Sequence, residues 1–307
     1  MSNSINHILC VCIITYNHVK YIEQAIDGVL MQKVDFLYEI LIADDYSSDG
    51  TREIIIKYQK QYPNLIKLIL QEKNIGPAKN WIKLISTPNS KYIAYFEGDD
   101  YWTDPFKLQK QVDFLEKNED YVLCGTSYND SNHNLINKYQ NSDITTNNLI
   151  YYNPYGTLTV VFKNIIRKND LLKSLGAPLG DYYLWFYLHQ FGKGFVLKDN
   201  TAVYRLHENS IFSSKSYIVR LVMRLKTFDN VYCNLDKSDI LKYEIVKSAL
   251  EIGRVANWND YLNTNYSLSV LIKNIAKINI VDYPLFIYVV VKSISARINY
   301  SFKIFVK

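Results

Sequence analysis

Two clusters of acidic residues follow apolar segments within the first hundred residues of the chain. One is Asp44-Asp45, and the other is Glu97-Gly98-Asp99-Asp100. Packing like charges together costs energy, so two such clusters at one edge of a sheet need compensation. A bound cation or several substrate hydroxyls would provide it. Carboxylate oxygens such as those of Asp100 suit Mg²⁺ or Mn²⁺, which bind through one or two carboxylates together with substrate phosphates.

The apolar segments before these clusters alternate with helical patterns. Continuous apolar runs predict buried strands, and apolar residues at helical spacing between them predict helices. The four predicted strands are Ile8–Ile14, Glu39–Ala43, Ile66–Leu70 and Tyr92–Phe96. The resulting βαβαβαβ order predicts an α/β fold, with a mostly parallel sheet and helices on both faces. Ligands bind beyond the carboxyl ends of such strands, so both acidic clusters and the triplet Thr15-Tyr16-Asn17 should lie at one rim.

The chain from residue 107 to residue 215 is less regular. Its pattern predicts two helices, four further strands and a long polar loop. In chain order these are the helix Lys107–Lys117, a strand at Tyr121–Ser127, the loop 129–150, a strand at Leu158–Phe162, a helix Tyr182–Phe191 capped by Asp181, and short strands at Phe195–Leu197 and Ala202–Tyr204. Beyond residue 215 the pattern is helical, so we predict one domain over 1–215 and a helical C-terminal region over 216–307.

The last 35 residues of the chain carry a basic and apolar pattern. Residues 273–307 contain six Lys or Arg and only one acid, Asp282, interleaved with aliphatic and aromatic residues. A basic amphipathic segment is typical of attachment to an anionic bilayer surface. The alternative is a packed helix with a solvated basic face. We see no secretory signal and no uninterrupted apolar stretch of membrane-spanning length, and we expect a cytoplasmic protein with peripheral contact at the inner membrane face.

Composition and missing motifs exclude several classes of protein. The chain has 307 residues, 48% of them hydrophobic and 21% charged, as is usual for a folded globular protein. Its net charge of +5 is too small for a nucleic-acid-binding protein. Neither GxGxxG nor GxxxxGK[ST] occurs, which argues against a dinucleotide oxidoreductase and a P-loop nucleotidase. A phosphate ligand would therefore need a metal bridge in place of a glycine cradle.

Four motifs, taken together, resemble those of the inverting family-2 nucleotide-sugar glycosyltransferases of bacterial surface-polysaccharide synthesis. They are Thr15-Tyr16-Asn17, the segment Asp44–Thr51, Asn74-Ile75-Gly76, and Glu97-Gly98-Asp99-Asp100. The resemblance covers about residues 7 to 212 and implies the GT-A fold. It also implies a nucleotide-sugar donor and a divalent cation, Mn²⁺ or Mg²⁺.

The resemblance assigns roles to residues that would bind the donor. Tyr16 would pack against the nucleotide base, helped by the backbone near Thr15, and Asp45 would hydrogen-bond the base. Asp99 would contact the ribose, and Asp100 would ligate the cation that bridges the diphosphate.

Two further positions match the family less closely. Lys79 lies where the family often has a basic residue near the donor, although a solvated helix lysine is an equal alternative. Tyr204-Arg205-Leu206-His207 resembles a segment in which the histidine completes the metal shell. The alternative for His207 is a surface or core residue without a ligand.

The segment Leu179-Gly180-Asp181-Tyr182-Tyr183 resembles the acidic pair that contains the catalytic base of the family. Position 180 is glycine here, so Asp181 alone can serve. Asp181 heads a predicted helix, whose dipole favours the ionised carboxylate. The alternative is that Asp181 is only a helix cap.

The sequence therefore predicts a metal-dependent, inverting glycosyltransferase. The preferred nucleotide is UDP, and the acceptor is a saccharide or a lipid-linked saccharide. Two alternatives remain open, a nucleotidyltransferase on a related α/β sheet and a saccharide-binding module that has lost turnover. The first would usually show a Gly-rich loop after its first strand, and the retained Asp99, Asp100 and Asp181 argue against the second.

Overall fold

The structure is a computed structural model that describes residues 7–136, 140–208, 210, 212–238, 240–241, 244–245 and 247–248. These residues belong to two compact units. The first comprises residues up to 175 together with 180–208, and the second comprises 176–179 with the described residues from 210 onward. The basic segment 273–307 lies outside the described residues, and the division at residue 215 stays a prediction.

The first unit contains one nine-stranded sheet. Its strands are β1 (Leu9–Thr15), β2 (Tyr38–Asp44), β3 (Ile66–Leu70), β4 (Tyr92–Glu97), β5 (Tyr101–Trp102), β6 (Tyr121–Asp130), β7 (Ser142–Ile144), β8 (Val161–Lys163) and β9 (Lys193–Tyr204). The strand order is β3-β2-β1-β4-β8-β6-β9-β5, and β7 pairs with β9. Strands β3, β2, β1 and β4 are mutually parallel, whereas β8 lies antiparallel to both of its neighbours.

Helices occur in both units. They are α1 (Ile22–Leu30), α2 (Thr51–Gln61), α3 (Pro77–Ile85), α4 (Lys107–Lys117), α5 (Thr146–Tyr151), α6 (Lys168–Leu172) and α7 (Gly180–Leu188) in the first unit, and α8 (Tyr217–Asn234) in the second. A 3₁₀ turn spans Thr157–Thr159 and another spans Lys173–Gly176. The predicted α/β class is confirmed. No helix of the described part of the chain is long and apolar enough to cross a membrane.

The apolar run at the start of the chain explains why β1 is central. Every residue from Leu9 to Ile13 is fully buried, so both faces of this strand are covered. Such two-sided burial is expected of a parallel strand that lies under helices. Register then aligns the strand ends, because Thr15 lies opposite Asp44 and Ile14 lies opposite Glu97. The sheet thereby brings the ends of β1, β2 and β4 side by side.

The structure corrects several predicted elements beyond β4. The region 129–150, predicted as a loop, contains the end of β6, then β7 and α5. Helix α5 begins at a capping box in which the Thr145 backbone N–H donates to Asn148 Oδ1 at 2.8 Å. The two short strands predicted between 195 and 204 are one twelve-residue strand, β9. Its polar middle is accommodated by register shifts against β6.

Two other elements are displaced from their predicted positions. Residues Leu158–Phe162 were predicted as a strand, but the segment forms a 3₁₀ turn followed by β8. Helix α7 spans Gly180–Leu188, whereas the pattern predicts Tyr182–Phe191. All seven residues from Tyr182 to Leu188 are buried, so the helix has no polar face by which its ends could be read from periodicity.

Candidate active site

The rim of the sheet continues for one residue beyond the strands. The Asp45 backbone N–H donates to Thr15 O at 3.1 Å, and Gly98 N–H donates to Ile14 O at 2.8 Å. A Cβ at position 98 would lie 2.8 Å from Ile22 Cδ1 and 3.2 Å from Thr15 Cβ, so a larger residue there would require both side chains to shift. Glycine at this position therefore lets the acidic segment after β4 pass close to β1 and α1.

The first acidic cluster, Asp44-Asp45, is neutralised within the protein. Asp44 is fully buried and accepts a hydrogen bond from Arg52 Nε at 2.6 Å, within an ion pair. The carboxylate of Asp45 accepts the backbone N–H groups of Ile75 at 2.8 Å and Gly76 at 2.9 Å. The motifs Asp44–Thr51 and Asn74-Ile75-Gly76 are therefore in direct contact. Asp45 is held at the rim by these backbone donors, and its role in base binding stays a prediction.

The second acidic cluster, Glu97 with Asp99 and Asp100, has less compensation. Burial, together with the charges of Asp99 and Asp181, raises the pKa of Glu97 to about 8. Burial also raises the pKa of Asp100 well above its usual range, and Asp99 and Glu97 add to the shift. The Arg205 backbone N–H donates to Asp100 Oδ1 at 2.9 Å and opposes that shift. The protein thus holds several carboxyl groups together without enough positive charge.

Two histidines flank the carboxylate of Asp99. His207 Nε2 lies 2.9 Å from Asp99 Oδ2, and His18 Nε2 lies 3.8 Å from the same oxygen. His18 Nδ1 is 3.3 Å from Thr15 Oγ1, and burial lowers the pKa of His18. The ring of His207 packs on Tyr21, with 5.1 Å between ring centroids. His207 therefore contacts Asp99 here, whereas the sequence prediction places it beside the same cation as Asp100.

His18 was missed by the sequence analysis. Its position directly after Thr15-Tyr16-Asn17 was the available signal, since that triplet ends β1 at the rim. Arg205 was missed as well, although it lies in the segment from which His207 was chosen. Its guanidinium lies over the ring of Tyr101, at 4.3 Å from the ring centroid, and donates to the carbonyl oxygen of Asp99. Arg205 thus fastens the end of β9 to the acidic segment after β4.

Asp181 lies in the first turn of α7 and faces the same site. Its Oδ2 accepts a hydrogen bond from Thr157 Oγ1 at 3.0 Å. Burial raises the pKa of Asp181, and hydrogen bonds from the Tyr182 backbone and Thr157 oppose that shift. The charge of Asp181 in turn raises the pKa of Glu97, so the two carboxyl groups are electrostatic neighbours. The helix begins at Gly180, which places Asp181 inside the first turn and not at the cap position.

The two remaining predicted residues lie at the surface. The side chain of Tyr16 is 45% exposed at the end of β1, where a planar base could stack on it. Lys79 is exposed on α3. Nothing in the structure tests the donor roles of Tyr16 and Lys79, which stay predictions.

The second cluster would supply only part of the ligands of a divalent cation. Among the described residues, no three His, Cys, Asp or Glu side chains are grouped so that they could hold a metal ion by themselves. The donors present are the carboxylates of Asp99 and Asp100 and the imidazole of His207, whose Nδ1 is buried without a hydrogen-bond partner. Mg²⁺ and Mn²⁺ suit such a partial site, because substrate phosphates supply their remaining oxygen ligands.

The comparisons with known proteins identify the family of the chain. The model of the family "Glycosyl transferase family 2" matches residues 10–176. An uncharacterised protein of Mycobacterium tuberculosis is 34% identical over 207 residues, which are 66% of this chain and 59% of that protein. The glucosyltransferase WfgD of Escherichia coli, named as acting from UDP-Glc on α-D-GlcNAc-diphosphoundecaprenol, is 28% identical over 68% of this chain and 81% of its own length.

A solved structure shares the fold at low sequence identity. Staphylococcus aureus TarS, residues 1–349 in complex with UDP, superposes with a TM-score of 0.64 and 17% identity. The match covers 94% of this chain and 88% of that one. The fold is thus the GT-A fold of nucleotide-sugar transferases. The chain belongs to glycosyl transferase family 2, because the family match covers more than half of it.

Proposed function

We propose that the protein is a metal-dependent, inverting glycosyltransferase. It moves a sugar from a nucleoside-diphosphate donor, in the first instance a UDP-sugar, to a saccharide or lipid-linked saccharide acceptor in surface-polysaccharide synthesis. One observation carries the proposal, namely that the carboxyl groups of Asp99 and Asp100 lie together at the rim, with His207 Nε2 2.9 Å from Asp99 Oδ2. Asp99 and Asp100 would bind a cation, and Asp181, on the other side, would take the proton of a reacting hydroxyl.

The proposed reaction is a single displacement at the anomeric carbon. Asp181 takes the proton of the acceptor hydroxyl while the acceptor oxygen bonds to the anomeric carbon from the face opposite the diphosphate. The bond between that carbon and the diphosphate oxygen breaks, and its electron pair leaves with the nucleoside diphosphate. Asp100, with Asp99 and His207 nearby, would hold a divalent cation whose chemistry is to stabilise the charge of the departing diphosphate.

Burial suits Asp181 to the role of base. A general base works best when its pKa approaches the working pH, and burial moves the pKa of Asp181 in that direction. The hydrogen bond from Thr157 keeps part of the preference for the ionised form. The donor-binding roles of Thr15, Tyr16, Asp45 and Asp99 follow from the family and from their places at the rim. Lys79 is the least constrained of the proposed donor residues.

The relatives support the choice of donor and acceptor. TarS is described with UDP, and WfgD is named for a UDP-sugar donor and a lipid diphosphate acceptor. A lipid-linked acceptor would place the reaction at the inner face of a membrane. The basic segment 273–307 would then provide peripheral contact with anionic lipid.

A donor screen combined with binding measurements tests the proposal. Release of nucleoside diphosphate from UDP-, GDP- and dTDP-sugars is measured with and without acceptor saccharides, and product anomers are assigned by NMR. Isothermal titration then compares UDP binding in Mn²⁺ and in EDTA. We expect Mn²⁺-dependent UDP binding that Asp100→Asn abolishes and that Asp143→Asn, an exposed control, retains.

Each part of the proposal has its own contrary result. Equal UDP binding in Mn²⁺ and EDTA would overturn metal dependence. A product with the donor's anomeric configuration would overturn inversion. Release of pyrophosphate from a nucleoside triphosphate would instead favour a nucleotidyltransferase. Saccharide binding without turnover of any donor would favour a binding module.

A further inference from the structure

The 3₁₀ turn Thr157–Thr159 is fastened to the buried layer behind the acidic segment. Trp102 Nε1 donates to Leu158 O at 2.8 Å, and Gln111 Nε2 donates to Thr159 O at 2.8 Å. Gln111 also donates to Cys124 O at 2.6 Å, and both donor side chains are buried. Two side chains therefore fix two successive carbonyl groups of this one short turn.

A buried lysine supports both of these donors. Lys107 is fully buried, its Nζ donates to Gln111 Oε1 at 2.9 Å, and it lies 4.1 Å from the ring centroid of Trp102. Trp102 follows Asp100 by two residues, in β5. The turn and the acidic segment after β4 are therefore held by the same group of side chains.

The exposed end of this turn contacts Asp181. The hydroxyl of Thr157 donates to Asp181 Oδ2 at 3.0 Å, and Thr157 is only partly buried. Thr159, two residues on, uses its hydroxyl within the turn, where it donates to Gly156 O at 2.7 Å. Thr157 thus contacts the proposed base, whereas the hydroxyl of Thr159 stabilises the turn itself.

From this arrangement we propose that Thr157 is a positioning residue for Asp181. A carboxyl group rotates easily about its Cβ–Cγ bond, and a hydrogen bond to Oδ2 from a fixed turn holds its plane in one orientation. A hydrogen bond to the ionised form also favours that form. Thr157 would therefore both aim the base and keep it deprotonated. The inference rests on the proposed function, in which Asp181 is the base.

The titratable groups around Asp181 determine how a pH profile is interpreted. Glu97 and Tyr95 on β4 and Tyr128 on β6 are each in electrostatic contact with Asp181. Substituting Thr157 leaves these three groups in place. A change in the pH profile of Thr157→Val then reports the missing hydroxyl, and its direction is fixed because loss of the donor raises the pKa of Asp181.

The test begins with three variants of the full chain and measures steady-state kinetics. Thr157→Val should lower kcat by roughly 10- to 10²-fold, the size expected when a reacting group is misplaced. It should leave the donor KM within about twofold of the parent and move the acidic limb of the kcat profile to higher pH. Thr157→Ser should restore most of the activity. Thr159→Val is the matched control. It should lower the melting temperature and leave kcat close to that of the parent.

A double mutant separates positioning from a general structural effect. Where Asp181→Asn has already removed the base, adding Thr157→Val should change kcat by less than about twofold, because residues that act as a unit are not additive. An equal loss in both backgrounds, or parental kinetics in Thr157→Val, would overturn the positioning role while leaving Asp181 as the base. Parental kcat in Asp181→Asn alone would instead overturn the proposed base. Thr157→Ala repeats the measurement if the valine variant does not fold.

Discussion

Asp44-Asp45 and Asp99-Asp100 both follow a buried parallel strand, but their carboxylates have different partners. Arg52 donates to Asp44, and two backbone N–H groups donate to Asp45. Asp100 accepts one backbone N–H, and its pKa is raised by burial and by the neighbouring acids. The first pair is compensated by an arginine and by backbone donors. In the second pair Asp99 lies beside two histidines, while the buried Asp100 accepts a backbone N–H and has no arginine side-chain donor among the described residues.

This difference indicates which acidic pair at the rim would bind a cationic ligand. A carboxylate that already holds an arginine gains little from a cation, while buried carboxyl groups that repel one another gain a great deal. The sequence motif is the same in both places, an Asp-Asp pair after an apolar strand. The structural distinction comes from Arg52, in the first turn of α2, and from the absence of a comparable arginine side-chain donor to Asp100 within the described residues.

The largest effect should come from the acid that faces the second cluster. Asp181→Asn preserves size and can still accept the hydrogen bond from Thr157, so the fold should persist. If Asp181 is the base, kcat should fall by about 10²- to 10⁴-fold, the usual contribution of general-base catalysis. Donor affinity should change little. Steady-state kinetics and UDP titration measure both, with Asp170→Asn, which pairs with Lys173 at the surface, as control. Near-parental kcat would remove Asp181 from the mechanism.

Breaking the compensated cluster should cost stability. Asp44→Asn leaves the partly buried guanidinium of Arg52 without its counter-ion. Removing one partner of a buried ion pair is strongly destabilising, and for this partly exposed arginine we expect about 2 to 3 kcal/mol. Urea denaturation of the variant measures the loss. Glu116→Gln, which breaks the exposed pair with Lys91, should cost less than about 1 kcal/mol. Equal losses in the two variants would contradict the distinction.

The second acidic cluster should instead make the folded protein less stable as pH rises. The pKa of Glu97 is about 8 in the folded protein and lies near 4.5 in an unfolded chain, so folding retains a proton that unfolding releases. Its contribution is fully present below about pH 4.5 and is lost as pH rises to about 8.

Glu97→Gln has no carboxyl group to ionise at this position, so its stability relative to the parent protein should increase with pH. We expect it to be more stable than the parent by about 2 kcal/mol at pH 8, since water reaches part of the carboxyl and reduces the effect. At pH 5 the difference should be small. Thermal denaturation in EDTA across this range gives the comparison. A constant difference from pH 5 to pH 8 would show that Glu97 does not titrate as stated.

Local sequence pattern was sufficient for strands β1 to β4 and for the acidic clusters at their ends, but not for the region 129–150. Strand Ile66–Leu70 and helix Lys107–Lys117 occur at the predicted residues, because continuous apolar runs and helical periodicity are local properties. Thr157 could not be found in this way, and the only local signal for His18 was its position directly after Thr15-Tyr16-Asn17. Their contacts with Asp99 and Asp181 span many residues of sequence and depend on where a turn is packed.

The smallest expected effect is a gain in stability from Asp100→Asn, which is opposite in sign to the loss expected from Asp44→Asn. Asp100→Asn removes a buried charge from a repulsive group, and its amide oxygen can still accept the Arg205 N–H. In EDTA the variant should therefore be more stable than the parent by about 1 kcal/mol, where Asp44→Asn is less stable. Mn²⁺ with UDP should then raise the melting temperature of the parent and leave Asp100→Asn unchanged, because only a protein that binds the ligand is stabilised by it. If Asp100→Asn is destabilised in EDTA as Asp44→Asn is, the second cluster is compensated too, and the argument for a cation at Asp100 fails.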